Sequence, residues 1–579
     1  MLARTIAKAV QSGQQSAETV AQAALTRIAH YDAVQPQAWI SRFAPDAVLA
    51  AARAVDARIA AGQVLPLAGV PFAVKDNIDV AGLETTAACP PFAYAPVANA
   101  FVVQRLLDAG AVCVGKTNLD QFATGLNGTR SPYGAPACVF NLDYVSGGSS
   151  SGSAVVVGAG LVPFALGTDT AGSGRVPAAF NGLVGLKPSK GRWSTTGLLP
   201  ACRSLDCITV MAADAADAAL VDSVVAGFDA ADVYARRLPD AAIAGKRVGV
   251  PLPANRPWFG DLQAEYLYGQ ALERLKSLGY ELIEVDITPL LDAARLLYSG
   301  PWVAERTAAM ADVLRDMPDA IDPAVREIVE AGLSMSAADA FRGQYQLAAH
   351  ARAAEAIWSR VDMLAVPTSP TIYRVAEMLA NPIALNSHFG TYTNFVNLLD
   401  MAAIAVPAGF RRNGTGFGIS FFAPAGTDRA LLDVAAHWGN PYPAPPLANE
   451  TMMETITLAV VGAHLEGMPL HWQLTSRGAR FLGAAETAPT YRLYAMADSV
   501  PPKPALVHDA SGGAILLELY ELDAAAFGSF VAEVPPPLAI GTVTLADGSQ
   551  VKGFVAEPRA MLGAEDVTAL GGWRVYCSR

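Results

Sequence analysis

Two runs of small, hydroxyl-bearing residues carry the most readable chemistry in this chain. Gly147-Gly148-Ser149-Ser150-Ser151-Gly152-Ser153 is followed by Gly167-Thr168-Asp169-Thr170-Ala171-Gly172-Ser173-Gly174-Arg175, with an apolar run between them. Glycines let a backbone take positive φ and approach a ligand closely. Serines supply nucleophiles and proton carriers. Upstream, Lys75 closes the apolar run Val70-Pro71-Phe72-Ala73-Val74. A lysine serves as general base only when it is neutral part of the time, and burial lowers its pKa towards that state. The combination points to hydrolysis by a serine whose base is lysine, not histidine. Each part also has an ordinary reading. Lys75 could pair with Asp76, and a Gly/Ser run could be a flexible loop or a phosphate-binding turn. The run lacks the Gly-Lys-Ser/Thr ending of a P-loop and the G-x-S-x-G elbow of other serine hydrolases.

These residues need rigid elements to hold them. Ser16-Ala17-Glu18-Thr19-Val20 opens a helical pattern in which Ser16 can cap, and residues 47–61 read as a surface helix. Short apolar runs follow at 70–74, 112–115 and 183–186, with a helical stretch at Phe101–Ala109. Short runs alternating with helices predict an α/β domain around a mixed, mostly buried β-sheet. Residues 262–360 are Ala/Leu-rich and amphipathic, and predict a mostly helical portion covering that sheet. Strand-like runs return at 363–367 and 403–407. Asn440-Pro441-Tyr442-Pro443-Ala444-Pro445-Pro446-Leu447 holds four prolines in six residues, which favours an extended spacer. Beyond it the runs at 457–461, 514–519 and 542–545 are strand-like, and Asp547-Gly548 is a hairpin signal. The expected division is 1–440, a Pro-rich linker at 441–452, and a small α+β domain at 453–579.

The 579 residues exceed what one core normally holds, about 250–300 residues. With 52% hydrophobic and 16% charged residues the composition is that of a globular protein with a large core. A net charge of −12 argues against non-specific nucleic-acid binding. Cys89, Cys113, Cys138, Cys202, Cys207 and Cys577 form no C-x-x-C pair and no zinc spacing, so buried thiols in a reducing compartment and no bound metal are expected. The N-terminus lacks the apolar core of a signal peptide. The least polar run, 154–167, is too short to span a bilayer. A cytoplasmic protein without membrane segments is expected.

The combined motifs resemble the amidase signature family. The matching residues are Gly147-Gly148-Ser149-Ser150-x-Gly152-Ser153-Ala154, Gly167-Thr168-Asp169-x-x-Gly172-Ser173-x-Arg175, Gly182-Leu183-Val184-Gly185-Leu186-Lys187-Pro188, Val74-Lys75-Asp76-Asn77 and Gly115-Lys116-Thr117-Asn118-Leu119-Asp120-Gln121-Phe122. Ser151 and Gly174 depart from the family pattern. The resemblance implies Ser173 as nucleophile, Ser149 as a bridging serine on a cis peptide, Lys75 as base and no cofactor. Backbone N–H groups across Thr170, Ala171, Gly172 and Ser173 would then form the oxyanion hole.

Residues 455–579 resemble the C-terminal domain of the allophanate hydrolase family and, more weakly, the γ-glutamylcyclotransferase-like fold. The carriers are Val461-Gly462-Ala463-His464-Leu465, Thr487-Ala488-Pro489-x-Tyr491-Arg492 and Gly571-Gly572-Trp573-Arg574. This second resemblance implies allophanate as substrate, with Tyr298 and Arg306 holding its carboxylate and Arg175 as a rival holder. It also implies a homodimer, and a separate biotin-dependent urea carboxylase, since the chain carries no Met-Lys-Met segment. Arg306 could instead be a surface residue paired with Glu305 or Asp312. In the small domain His464 is the candidate for decarboxylating the first product. The alternative there is a domain serving assembly, with a structural histidine.

Overall fold

The computed structural model describes residues 2–442, 444–448, 455–497 and 499–579. Its contacts divide the chain into two units, the first reaching Leu447 and the second starting at Ala448. The division falls in the Pro-rich segment, of which Pro443 and residues 449–452 lie outside the described residues.

The first unit is built on an eleven-stranded sheet. Its strands lie in the order Trp39–Arg42, Val112–Thr117, Pro71–Lys75, Phe164–Asp169, Cys207–Ala212, Val184–Lys187, Met401–Phe410, Gly416–Pro424, Met363–Pro367, Arg247–Pro251 and Glu281–Val285. Pairing is mixed. Pro71–Lys75 runs parallel to both neighbours, whereas Cys207–Ala212 is antiparallel to both of its own. The central strands are buried along their whole length, as expected of a sheet covered on both faces by helices. Ser16 caps the helix Ala17–Tyr31 by accepting from the Thr19 N–H at 3.0 Å.

Residues 262–360 are not helical throughout. The helix Leu262–Ser277 is followed by the strand Glu281–Val285, which closes the sheet edge beside Arg247–Pro251. Leu282 and Ile283 are half-buried between exposed glutamates, the pattern of a charged edge strand. Helices Thr288–Ser299, Trp302–Ala309, Pro323–Glu330 and Ala337–Trp358 follow.

The second unit holds a five-stranded sheet and a three-stranded one around its own apolar cluster, including Leu458, Leu493, Leu517, Phe530 and Trp573. The Asp547-Gly548 turn joins Leu538–Thr544 to Gln550–Ala556 as an antiparallel hairpin, with Gly548 at φ +84°. Cysteines 89, 113, 138, 202 and 207 are buried, Cys577 is exposed, and all six are unpaired. No helix among the described residues is long and apolar enough to cross a membrane.

Candidate active site

Parallel pairing brings the ends of two strands to one edge of the sheet. Val74 lies opposite Leu166, so Lys75 comes level with Gly167 and within reach of Thr168. Lys75 is fully buried and its Nζ donates to Ser149 Oγ at 2.7 Å and Thr168 Oγ1 at 2.6 Å. Burial pulls the Lys75 ammonium down to about 7. Asp120, Asp206 and Asp169 act against that shift, and Arg306 acts with it. The strand that ends in Lys75 therefore delivers an amine that is neutral about half the time near neutral pH.

Ser149 sits on a cis peptide after Gly148. A Cβ at Gly148 would stand 2.2 Å from Asp120 Oδ2, so only glycine fits there. The helix Ser151–Gly158 starts just beyond and is tied to the neighbouring strand. Ser150 Oγ donates to the Thr168 carbonyl at 3.1 Å and Ser153 Oγ to the Leu166 carbonyl at 2.9 Å.

The loop after Phe164–Asp169 is wound around the Asp169 carboxylate. Asp169 accepts from the N–H groups of Gly172 at 2.8 Å and Gly174 at 3.2 Å, and takes a two-pronged bond from Arg175 at 2.8 and 2.9 Å. This corrects two expectations. The Gly172 N–H is turned to Asp169 and is not available as an oxyanion donor. Arg175 is fully buried, and its Nε and Nη2 go to Asp169, with Nη2 also on the Thr393 carbonyl, which turns that side of its fork back on the loop; its Nη1 has no partner among the described residues. Ser173 Oγ donates to the Gly125 carbonyl at 3.4 Å, so it faces Gly125 and not Ser149 in this arrangement.

On the helix Trp302–Ala309 the buried positions are Trp302, Val303, Arg306 and Thr307, the inward stripe of a 3.6-residue period. Arg306 thus lies inside, not on the surface. Its Nη1 donates to Thr124 Oγ1 at 3.1 Å, and its Nε has no partner among the described residues. The Tyr298 ring lies 5.4 Å from the Arg306 guanidinium and also lines a cavity of about 700 Å³ with Leu126, Phe259, Leu291 and His388. The structure so brings Lys75, Ser149, Ser173, Arg306 and Tyr298 into one region, linked through Thr124 and Gly125.

In the second unit His464 lines a cavity of about 260 Å³ with Lys503, Gln473, Glu533, Phe530 and Phe554. Its ring stacks on Phe554 at 5.0 Å and meets the edge of Phe530 at 5.1 Å, and its Nε2 bonds Gln473 Oε1 at 2.7 Å. Burial lowers its pKa, which favours the neutral ring.

Comparison with known proteins agrees with this architecture. The family described as Amidase matches residues 20–432. The chain belongs to the amidase family. A second family, described as Allophanate hydrolase C-terminal domain, matches residues 456–578. The allophanate hydrolase structure from Kluyveromyces lactis is 41% identical, with a TM-score of 0.70, and the match covers 98% of this chain and 97% of that one. The urea amidolyase of Lachancea kluyveri is 45% identical over 547 residues, covering 89% of this chain but 30% of that protein. The A-type subunit of the glutamyl-tRNA(Gln) amidotransferase of Symbiobacterium thermophilum is 35% identical over 463 residues, which is 73% of this chain and 93% of that protein.

The amidase site also uses residues to which motif reading gives no role. Asp120 accepts from the N–H groups of Asn127, Gly128 and Arg130, and its own N–H donates to the Ser149 carbonyl at 3.1 Å. Lys116 pairs with Asp76 at 3.0 Å, both fully buried, so the partner that Lys75 could have had is taken by another lysine. Asp206 is buried, accepts from Thr170, Ala201 and Cys202, and is pushed up to about 6 by that burial. Asp120 lies inside the motif at 115–122, but its contacts join segments that only the fold brings together.

Proposed function

We propose that this amidase hydrolyses the terminal amide of allophanate (urea-1-carboxylate), with Ser173 as nucleophile, Ser149 as proton bridge and Lys75 as base. The observation that carries the proposal is the buried Lys75 with a pKa near 7, bonded to Ser149 beside the Ser173 loop. On substrate binding Ser173 Oγ turns from the Gly125 carbonyl to Ser149. Its proton passes through Ser149 to neutral Lys75 while Oγ attacks the carbonyl carbon. The N–H groups of Thr170, Ala171 and Ser173 take the developing oxyanion. The protonated relay then returns a proton to the departing ammonia. Water releases the acyl group from Ser173 as N-carboxycarbamate, which breaks down to carbon dioxide and a second ammonia.

At the far end of the substrate, Arg306 offers a buried guanidinium with a free Nε, and Tyr298 stands over it. A planar fork suits a carboxylate better than a point charge does. The K. lactis neighbour supports this substrate because the likeness runs through both units. The amidotransferase relative is alike over about three quarters of the chain, and a glutaminase-type reading leaves the second unit unexplained. The urea amidolyase relatives support a functional link to a biotin-dependent urea carboxylase as the source of allophanate. The same reading carries a homodimeric state and a cytoplasmic setting.

Ammonia release from allophanate, set against malonamate, glutamine and biuret, is the deciding assay. The expected outcome is preference for allophanate, lost in Ser173→Ala. Full activity in that variant would remove the nucleophile assignment. A second activity fits the small unit. His464, whose burial favours the neutral ring and which lines a pocket with Lys503, would decarboxylate N-carboxycarbamate.

A further inference from the structure

The segment 201–206 touches both ends of the site without contributing to the chemistry described above. Thr170 opens the loop that carries Ser173, and its hydroxyl donates to Asp206. The same carboxylate accepts from the N–H groups of Ala201 at 2.8 Å and Cys202 at 3.1 Å. Two residues before Asp206, Ser204 donates its N–H to Glu305 Oε1 and its hydroxyl to Oε2, both at 2.7 Å. The Cys202 thiol donates to the Trp302 carbonyl at 3.5 Å. Glu305 immediately precedes Arg306 on the helix Trp302–Ala309. An unbroken series of hydrogen bonds therefore runs from the nucleophile loop, through one short segment, to the helix holding the buried guanidinium.

We infer that Asp206, fixed to Thr170, and Glu305, fixed to Ser204, set the spacing between Ser173 and Arg306 and so decide which length of anionic amide is accepted. The inference rests on the reading of Arg306 as the carboxylate holder. Both are positioning residues, acting through their bonds to Thr170, Ala201, Cys202 and Ser204. A two-pronged bond to a carboxylate is directional, and a displacement of about 1 Å at a reacting group costs up to ~100-fold in rate. A substrate gripped at both ends feels any slack between the grips. A neutral amide gripped only at the reacting end does not.

The test compares malonamate with its neutral isostere malonamide, and with succinamate, one methylene longer, by ammonia release. Ser204→Ala and Glu305→Gln are each expected to lower kcat/KM for malonamate roughly tenfold, chiefly through kcat, to leave kcat/KM for malonamide unchanged, and to narrow the preference for malonamate over succinamate. Ser204→Thr, which keeps the hydroxyl, is expected to behave as the parent protein. An equal fall of kcat/KM on malonamate and malonamide would show general loosening and overturn the inference. Unchanged preferences in both variants would overturn it as well. Arg306→Met separates the two levels. If it abolishes the preference for malonamate over malonamide while Ser204→Ala and Glu305→Gln do not, the spacing role alone falls. If it leaves that preference intact, the reading of Arg306 falls and takes the spacing role with it.

Discussion

The two units bury ionisable groups in different ways. In the first, Lys75, Asp120, Asp169, Arg175, Asp206 and Arg306 are all shut away from water, and nearly every one is bonded to the backbone or side chain of another element. In the second, His464 sits between two phenylalanines with one side-chain partner, and the neighbouring Glu533 is half exposed. Burying charge is costly unless it is paired and hydrogen-bonded. The first arrangement holds Lys75, Ser149 and Arg306 among fixed hydrogen-bond partners. The second provides a pocket in which an apolar wall of phenylalanines meets His464, Gln473, Lys503 and Glu533. The contrast teaches that the first unit fixes its buried charges by many partners, whereas the second sets one histidine against aromatic rings with few.

Four outcomes would break or sharpen that contrast. The largest concerns the nucleophile. Ser173→Ala should lower kcat for ammonia release by ~1,000-fold or more while the thermal midpoint stays close to that of the parent. A surviving rate within tenfold would mean the dense unit does not act through Ser173. Next is the base. With Lys75 as the proposed base, its neutral form is the active one and burial lowers it to about 7, so kcat/KM should rise roughly tenfold per pH unit below that value and level off above it. Lys75→Met should remove this acid limb together with most of the activity.

The third outcome concerns the brace. Arg175→Met leaves Asp169 buried without its ion-pair partner, and breaking such a pair costs about 3–5 kcal/mol. A lowered urea midpoint accompanied by a lower kcat is expected. An unchanged midpoint would mean the ion pair does not hold the loop. The smallest effect falls in the other unit. His464→Asn should leave release of the first ammonia from allophanate unchanged and slow carbon dioxide formation, followed by carbon-13 NMR of the accumulating N-carboxycarbamate. A matching loss in the first step would mean that His464 does not act on the second step alone.

Much of the first site was legible because its residues are close in sequence. Ser149, Ser173 and Asp169 lie within two short runs, and Lys75 ends an apolar run whose strand character is plain. Arg175 was harder to place. The same sequence allows its fork to face a substrate or to turn back on Asp169, and only the wound loop decides between them. Asp120 and Asp206 gain their roles from partners brought alongside by sheet pairing and loop packing. No local period predicts that Asp206 will meet Thr170 or that Ser204 will meet Glu305. The strand Glu281–Val285 was masked by its leucine-bearing, charge-flanked sequence, which fits a helix equally well until the exposed edge of Arg247–Pro251 recruits it.

The distribution of thiols has a practical use. Five cysteines are enclosed in the first unit, and Cys577 lies exposed in the last helix of the second. A maleimide fluorophore added to the native protein should therefore couple once, at a position remote in sequence from the serine relay. That gives a single dye on the small unit with the five buried thiols of the first unit untouched.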